Sequence, residues 1–443
     1  MRIVLLFFTA LFALPLAAQE IGAAQQLRKL MQVYRYLDGL YVDEVEMGPL
    51  VESAIEGMLE ELDPHSAYIG AEDMKGVQES FDGEFSGIGI EFNVLRDTVI
   101  VVNTIVGGPA ERVGVMPNDR IVRIDTLDAV GFKQTDVPKH LRGKTGTRVE
   151  IDVVRHGEPA PLHFVIVRDK IPLNTVDAAY MAADGVGYIK VNRFGRTTMS
   201  EFREAFDKLG RPQSLILDLR GNGGGLLGLV QRQIGLGDGS AVRITVARYH
   251  TPSGRVIQRP YEKGKRREYY LDHLRRYDDA VRDSLDAGAP EYRTLRTGRT
   301  VYGGGGIRPD VMVEADTAGF SVYYANLIRR GVVNEYVISY MDRERGRLER
   351  AYPDFAAFGV GKEMLTGLTA LGAERGVEFD EAGFAASEPL MRVQLKALVA
   401  QRLFDTGAFY RVMNLAQNGA YRRAVEILGG WEREGAPLLM PEN

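Results

Sequence analysis

Cysteine is absent from all 443 residues of the chain. Its absence excludes disulfides, thiolate nucleophiles and cysteine-based metal sites. A chain of this length can bury a core large enough to fold without disulfides, even outside the cytoplasm. The length itself favours roughly two to four domains.

Concentrated charge and metal-ligand patterns are also missing. The chain has 55 Lys and Arg residues against 60 Asp and Glu residues, a net charge of −5, and no basic patch favours nucleic acid. Its six histidines show none of the short spacings typical of metal ligands. We therefore expect no nucleic-acid partner, no metal site and no cofactor.

An apolar run extends from Ile3 to Ala18, shorter than the roughly 20 residues that a membrane-spanning helix needs. One arginine precedes the run and small residues follow it, a pattern typical of a secretory signal peptide. We expect cleavage near Ala18 or Gln19 and export to the periplasm or the extracellular space. A retained N-terminal anchor is the alternative.

A glycine-rich stretch, SLILDLRGNGGGLLGLVQ, covers Ser214 to Gln231. Its apolar start is typical of a buried parallel strand, and glycines after a strand let N–H groups face an anion closely. That anion can be a phosphate or the oxyanion of acyl transfer. Residues 223–228 formally fit the dinucleotide pattern G-x-G-x-x-G, but the acidic residue expected about 20 positions later is missing, since Asp238 comes too early.

A strand, a helix and a second strand are predicted around this stretch. Residues 186–191 form an apolar run, and the segment from Thr198 to Leu209 has a helical pattern that opens with a capping box, Thr198 and Glu201. The next strand begins at Leu215. This order predicts a right-handed βαβ crossover in a largely parallel sheet.

Short β-rich runs dominate from Gly83 to Arg168. Ser86 to Ile90 reads SGIGI, and Gly107 to Ala110 is predicted to open a short helix. Taken by themselves, Gly87 and Gly89 fit a β-bulge. Upstream, apolar residues recur at helical spacing from Leu27 to Leu37, which favours a stripe facing a core.

Seven stretches together resemble the C-terminal processing peptidases, the tail-specific serine proteases of family S41 with a PDZ domain. They follow that family's order and are LDPHSAYI from Leu62, GEFSGIGIEF from Gly83, GGPAERVGVMPNDRIVRID from Gly107, LDLRGNGGG from Leu217, GLVQRQ from Gly228, ARYHTPSGRVIQ from Ala247 and GRTVYGGGGIRPDVMV from Gly298. The resemblance implies that Gly87, Ile88, Gly89 and Ile90 bind the carboxyl ends of protein tails.

The same resemblance implies a Ser–Lys dyad with a Gln four positions after the Lys, in a K-G-x-V-Q pattern. Gln231 matches the residue that orients the Lys, but Leu227 stands at the Lys position. The stretch that carries the nucleophile is absent between the glycines and Leu227. The glycines implied to hold the oxyanion, Gly223, Gly224 and Gly225, remain.

The fold class expected from these observations is a multidomain α/β chain, with a β-rich PDZ-like domain beside a mostly parallel, incomplete α/β protease core. The expected layout is a signal peptide at 1–19, a helical region at 20–82, a PDZ domain at 83–169, a peptidase core at 170–316 truncated between 226 and 228, and a helical region at 317–443. A homodimer through the helical ends and a peripheral membrane association remain open.

Two functions compete. By resemblance the chain is an exported serine endopeptidase that processes captured tails; by its residues it is a PDZ peptide-binding protein without catalysis, or the product of a deleted gene. Ser253 is a poor replacement nucleophile, because its Pro and Gly neighbours favour a turn and no Lys or His stands at a matched position.

Overall fold

The computed structural model describes residues 22–105, 107–224, 230–258, 260–275, 289–304, 307, 309–314, 319–353 and 355–440. The chain forms two compact units, each assembled from segments that are separated in sequence. The smaller unit comprises residues 1–71, 231–246 and 260–283, and the larger comprises residues 72–230, 247–259 and 284–443.

The helices in the described ranges are α1 (22–40), α2 (Met47–Glu60), α3 (Ala71–Asp82), α4 (Pro109–Arg112), α5 (Val137–Leu141), α6 (Thr198–Lys208), α7 (Arg266–Arg275), α8 (Val322–Arg329), α9 (Val332–Ala351), α10 (Lys362–Glu374), α11 (Glu381–Leu403), α12 (Thr406–Gln417), α13 (Gly419–Gly429) and α14 (Trp431–Glu434). None of them combines the length and the hydrophobicity needed to cross a membrane.

The strands in the same ranges are β1 (Ala67–Ile69), β2 (Glu84–Gly87), β3 (Ile90–Leu95), β4 (Thr98–Thr104), β5 (Arg120–Ile124), β6 (Leu127–Asp128), β7 (Arg148–Val154), β8 (Leu162–Val167), β9 (Asp169–Pro172), β10 (Val176–Ala183), β11 (Val186–Val191), β12 (Ser214–Asp218), β13 (Val230–Gly235), β14 (Ala241–Ala247), β15 (Glu291–Arg293) and β16 (Thr300–Tyr302).

The smaller unit is organised by the turn that follows α2. Proline at position 64 disfavours helix at the residue before it, and the Asp63 carboxylate closes the turn by accepting N–H groups from His65 at 2.8 Å and Ser66 at 3.0 Å. Thr245 on β14 donates to the same carboxylate at 3.1 Å. The turn therefore fixes the start of β1, which lies in a sheet of order β1-β14-β13.

The apolar stripe of α1 does not face a core in the described chain. Leu27 is 59 % exposed, Leu30 is 47 % exposed and Met31 is 48 % exposed. The prediction of a core-facing stripe is therefore wrong, although the helix itself is where the periodicity placed it. Periodicity reports that one side of a helix is apolar, and it does not report what covers that side.

The β-rich region of the larger unit forms a twisted sheet of order β3-β4-β5-β7-β8, with β6 paired to β5. β2 and β9 pair with each other and bring Gly87 opposite Asp169. The two short helices α4 and α5 close the core of this region. Its fully buried side chains include Val99, Val101, Ile121, Ile124, Val137, Val149, Ile151, Val153 and Ile166.

The second sheet of the larger unit has the order β10-β11-β12. Every residue of β11 is buried, because α6 covers one face of the sheet while α12 and α13 cover the other. β11 and β12 run parallel and are joined through α6, as predicted, but β10 is antiparallel to β11. Within the described residues the sheet is thus mixed rather than largely parallel.

The predicted capping box of α6 is also wrong. Thr198 is the first residue inside the helix, and its hydroxyl accepts the N–H of Gly195 at 2.8 Å. The Glu201 carboxylate instead accepts the N–H groups of Thr175 at 2.7 Å and Val176 at 3.0 Å. Glu201 therefore anchors the start of β10 to α6, a tertiary role that local sequence does not reveal.

Helices α8 to α11 share a buried apolar core centred on Leu327, Val337, Met341, Leu368, Met391 and Leu395. This bundle holds the β-rich region by polar contacts. Arg120 lies 2.7 Å from the Asp342 carboxylate, and the Asn118 amide donates to the main-chain oxygen of Ile338 at 3.1 Å. Glu335 pairs with both Arg96 and Arg375.

Candidate functional sites

The loop between β2 and β3 has its peptide groups fixed in direction. The carbonyl of Ile88 accepts the N–H of Ala110 at 2.8 Å, and the carbonyl of Gly89 accepts the N–H of Ile105 at 2.9 Å. In a planar trans peptide the N–H points opposite to the carbonyl. The N–H groups of Gly89 and Ile90 therefore point away from these partners, and two successive N–H groups of this kind can bind an anion.

Glycine is needed at position 89 for two reasons. Its φ is +76°, in the left-handed region. An added Cβ would lie 3.1 Å from Cδ1 of Ile171 and 3.3 Å from Cδ of Pro109. This close approach packs α4 and β9 against the loop, so a side chain at position 89 would disturb the packing of the loop. A β-bulge at Gly87 and Gly89 is the alternative prediction. The register shift of β3 lies instead between Glu91 and Phe92.

The open edge of the β-rich sheet begins at this loop. β3 is an edge strand that pairs with β4 within the described residues. Ile90 and Phe92 are partly buried against the core to which Val137 and Leu141 of α5 belong. The side chain of Gln134, just before α5, bonds to the main chain of β3 at Phe92 and Val94.

The carboxyl end of β12 carries a closed ion-pair network. Asp218 lies opposite Lys190 in the parallel register, with Lys190 Nζ 3.5 Å from Asp218 Oδ1. Tyr188 donates its hydroxyl to Asp218 Oδ2 at 2.7 Å, and Arg220 donates to both carboxylate oxygens. Lys190 Nζ also donates to the main-chain oxygen of Arg220. Asp218 is therefore fully engaged with its own neighbours.

The pKa values of Asp218, Tyr188 and Tyr410 are shifted away from neutral pH. Burial alone would raise the pKa of Asp218, but the bonds from Arg220 and Tyr188 outweigh it and hold that pKa well below its usual range. Burial, helped by Asp218, raises the pKa of Tyr188. Burial also raises the pKa of Tyr410 to about 12. A general acid or base needs a pKa near the working pH, so these groups are suited to stabilising the fold rather than to transferring protons.

A cavity of about 510 Å³ lies beside the network. It stands at the carboxyl ends of β11 and β12, where parallel strands commonly present ligand sites. The Tyr410 hydroxyl of α12 donates to Asp177 at 3.3 Å across it. Its lining residues are Asp177, Lys190, Asn192, Asp218, Arg220, Gly221 and Tyr410.

The glycines after β12 are organised by Asn222. Its side-chain oxygen accepts the N–H of Gly224 at 2.8 Å, and its amide donates to the carbonyl of Val191 at 3.1 Å. A Cβ at Gly223 would meet nothing within 4 Å, so that residue faces open space. An oxyanion held by Gly224 would have to replace the Asn222 side chain. Gly225 and Leu227 lie outside the described residues.

Gln231 belongs to the smaller unit. Its Nε2 donates to the main-chain oxygen of His65 at 2.9 Å. His65 Nε2 lies 3.3 Å from the hydroxyl of Tyr269. In the structure Gln231 therefore supports the turn at residues 63–66. The described residues contain no cluster of three or more His, Asp or Glu side chains arranged to hold a metal ion.

Four family models match the chain. Residues 185–228 match peptidase family S41, residues 86–163 match the PDZ domain, and residues 15–73 match the N-terminal domain of the activating protease CtpB. Residues 323–405 match a family of unknown function. The carboxy-terminal processing protease CtpB of Bacillus subtilis is 31% identical over 288 residues, covering 63% of this chain and 58% of that protein. Residues 185–228 are therefore similar to peptidase family S41.

A second relative, the carboxy-terminal processing protease CtpA of Bacillus subtilis, is 34% identical over 202 residues, covering 45% of this chain and 43% of that protein. The chain thus spans about half the length of the curated relatives it matches. A solved PDZ domain of a carboxy-terminal protease from Vibrio cholerae, in complex with peptide, is 31% identical, covers 20% of this chain and 99% of its own, and has a TM-score of 0.19. A TM-score this low carries no argument about the fold of this chain.

Two residues in these sites were not singled out from sequence. Lys190 interrupts an apolar strand, and a charge at such a position indicates a buried partner, which the register supplies as Asp218. Gln134 lies in a polar turn and carries no sequence signal.

Proposed function

We propose that this chain captures the carboxyl-terminal tails of other proteins in its PDZ region and does not cleave them. The observation that supports capture is the pair of N–H groups at Gly89 and Ile90, aimed away from the carbonyls that Ala110 and Ile105 bind. A tail carboxylate accepts these two charge-assisted bonds. The tail then adds as an antiparallel strand to the free edge of β3.

The last side chain of the tail is expected to be apolar. The proposed capture groove, between the open edge of β3 and α5, presents Ile90 and Phe92, which are partly buried against the core that contains Ile88. Val137 and Leu141 of α5 lie in the same apolar cluster. A charged final residue would lose its hydration there without gaining a partner.

The absence of cleavage follows from the residues after the glycines at 223–225. The five residues Leu226–Val230 carry neither a nucleophile nor a base. Nearby ionisable groups do not replace them, because Asp218 and Lys190 bind each other. The Ser253 hydroxyl bonds with Thr251 and Arg255. Loss of the nucleophile from such a catalytic set costs roughly a million-fold in rate.

Tail cleavage is the second candidate, because the curated relatives are named carboxy-terminal processing proteases. The match to the S41 model ends at residue 228, which supports the view that the chain departs from the family at this point. A chain in which the missing family segment is restored should cleave, and mutation of the restored Ser should abolish cleavage. Cleavage by the present chain that is lost in Gln231→Ala would overturn the non-catalytic proposal.

Tail capture is tested by the affinity of the full chain for matched peptides that end in a free acid or an amide. The free acid should bind at least roughly tenfold tighter, since the amide removes the charge from two hydrogen bonds. Gly89→Ala should abolish binding. Gly157→Ala is the matched control, because Gly157 also has a positive φ, +88°, but stands in the β7–β8 turn with nothing within 4 Å of its Cβ position. Equal affinity for acid and amide would refute the carboxylate loop.

We further propose export, on the apolar run from Ile3 to Ala18, and self-association through α1. The exposed apolar side chains of Leu27, Leu30 and Met31 support self-association, since such a stripe gains stability by burial against a second copy. Light scattering of the wild type and of a Leu30→Glu variant tests it. A monomer in both proteins would refute the dimer.

A further inference from the structure

We propose that Gln134 closes the far end of the capture groove, so that the groove accepts about three terminal residues of a tail. This inference rests on the proposed tail capture. Gln134 Oε1 accepts the N–H of Val94 at 3.1 Å, and Gln134 Nε2 donates to the carbonyl of Phe92 at 3.5 Å. One side-chain amide thus occupies both a donor and an acceptor on the open edge of β3.

These two main-chain groups belong to the edge that a tail would use. The other edge of β3 pairs with β4, where Phe92 lies opposite Val101 and Val94 lies opposite Val99. A carboxamide has the same donor and acceptor as a peptide group, so the Gln134 side chain imitates one peptide unit of an added strand. A tail that extends this far must displace it.

The position of Gln134 along β3 sets the length of the groove. The tail carboxylate lies at Gly89 and Ile90, and an antiparallel partner meets an outward-facing residue of β3 at every second position. The last tail residue therefore faces Ile90, and the third from last accepts the N–H of Phe92, whose carbonyl is already bound by Gln134. Residues further upstream would pair at Val94, which Gln134 already covers.

The turn that carries Gln134 is itself held in place. Lys133 N–H donates to the Asp136 carboxylate at 3.1 Å, and Asp136 N–H donates to the carbonyl of Lys133 at 3.0 Å. The Phe132 ring lies against His140 of α5, with centroids 5.2 Å apart. The backbone of Gln134 is thus tied to α5, and its side chain reaches β3 from a fixed base.

The test compares the full chain with Gln134→Ala on free-acid peptides of three, four and six residues that share the same apolar last three. For the wild type we expect nearly equal affinity at all lengths. For Gln134→Ala the six-residue peptide should bind roughly three- to tenfold tighter than the three-residue peptide, because one or two further hydrogen bonds become available. Thr135→Ala, an exposed neighbour, is the matched control and should behave as the wild type.

Amide exchange of residues 90–95 in the peptide-free chain provides a second readout. The Val94 amide should exchange faster in Gln134→Ala than in the wild type, and equal exchange would overturn the contact. The same length dependence in both proteins, or weaker binding of every peptide by the variant, would overturn the closing role alone. No binding of any free-acid peptide by either protein would refute tail capture and, with it, the length limit.

Discussion

Replacing Asp218 by alanine should destabilise the larger unit more than any change at its surface. Asp218 is the common acceptor for Tyr188, Arg220 and Lys190 at the end of β12. The Lys190 side chain is only 7% exposed, so removal of the carboxylate leaves a largely buried ammonium without its counter-charge. The Arg220 side chain is 53% exposed and can regain water.

The magnitude follows from which partners stay buried. Removing one member of a buried ion pair costs about 3–5 kcal/mol because the other charge is left uncompensated. The Tyr188 hydroxyl, buried without its acceptor, adds about 1–3 kcal/mol. We add nothing for Arg220. The expected loss is at least about 4 kcal/mol, which corresponds to a fall of about 8 °C or more in the unfolding midpoint of a large domain.

Scanning calorimetry measures this shift, and near-ultraviolet circular dichroism follows the tyrosines of the same sheet. Asp218→Asn should cost less, because the amide oxygen still accepts from Tyr188. Lys190→Met combined with Asp218→Ala should cost about 0.5–3 kcal/mol less than the sum of the single changes, because no buried charge remains unpaired. A shift below about 1 kcal/mol for Asp218→Ala, or strict additivity, would refute the network as a source of stability.

Three further outcomes are expected. Because the pKa of Asp218 is lower in the folded chain than the unfolded value of about 3.9, its contribution is complete above about pH 5 and is lost as the pH falls through the folded pKa; acid titration of the Asp218→Asn variant should show a weaker loss. Asp342→Ala should release the β-rich region from α9 by removing the acceptor of Arg120, at a cost of about 1.5–3 kcal/mol, seen as faster limited proteolysis. Exported protein should begin near Gln19 by N-terminal sequencing, and a retained Met1 would contradict this.

The sequence predicted those elements whose signal is local. The strand from Val186 and the helix from Thr198 appear within one residue of their predicted ends, and α4 begins at Pro109 as its opening residues indicated. The capping box failed because Glu201 finds better donors on β10 than on its own helix. The antiparallel β10 was missed because no local pattern distinguishes the direction of a buried strand.

The candidate site was only half predictable for the same reason. The SGIGI motif identifies the loop, because the positive φ at position 89 is a local requirement that glycine meets. The pairing of Lys190 with Asp218 depends on the register of two strands separated by α6, and strand register is set by packing. Gln134 acts on β3 from 40 positions away. Contacts of this range follow from the fold rather than from any nearby residue.

The tyrosine layer of the second sheet has a consequence for synthesis. Tyr180 and Tyr188, from the middle of the chain, stack at 4.7 Å, and Tyr421, close to the end, meets Tyr188 edge-on at 5.5 Å. One face of this sheet therefore lacks its covering helices α12 and α13 until the end of the chain is made, and the sheet completes its core only after nearly all residues are made. An exposed apolar face of this kind favours aggregation of the growing chain. A ribosome stall or a stop codon ahead of Tyr421 should therefore yield insoluble product, although strands β10, β11 and β12 are already complete.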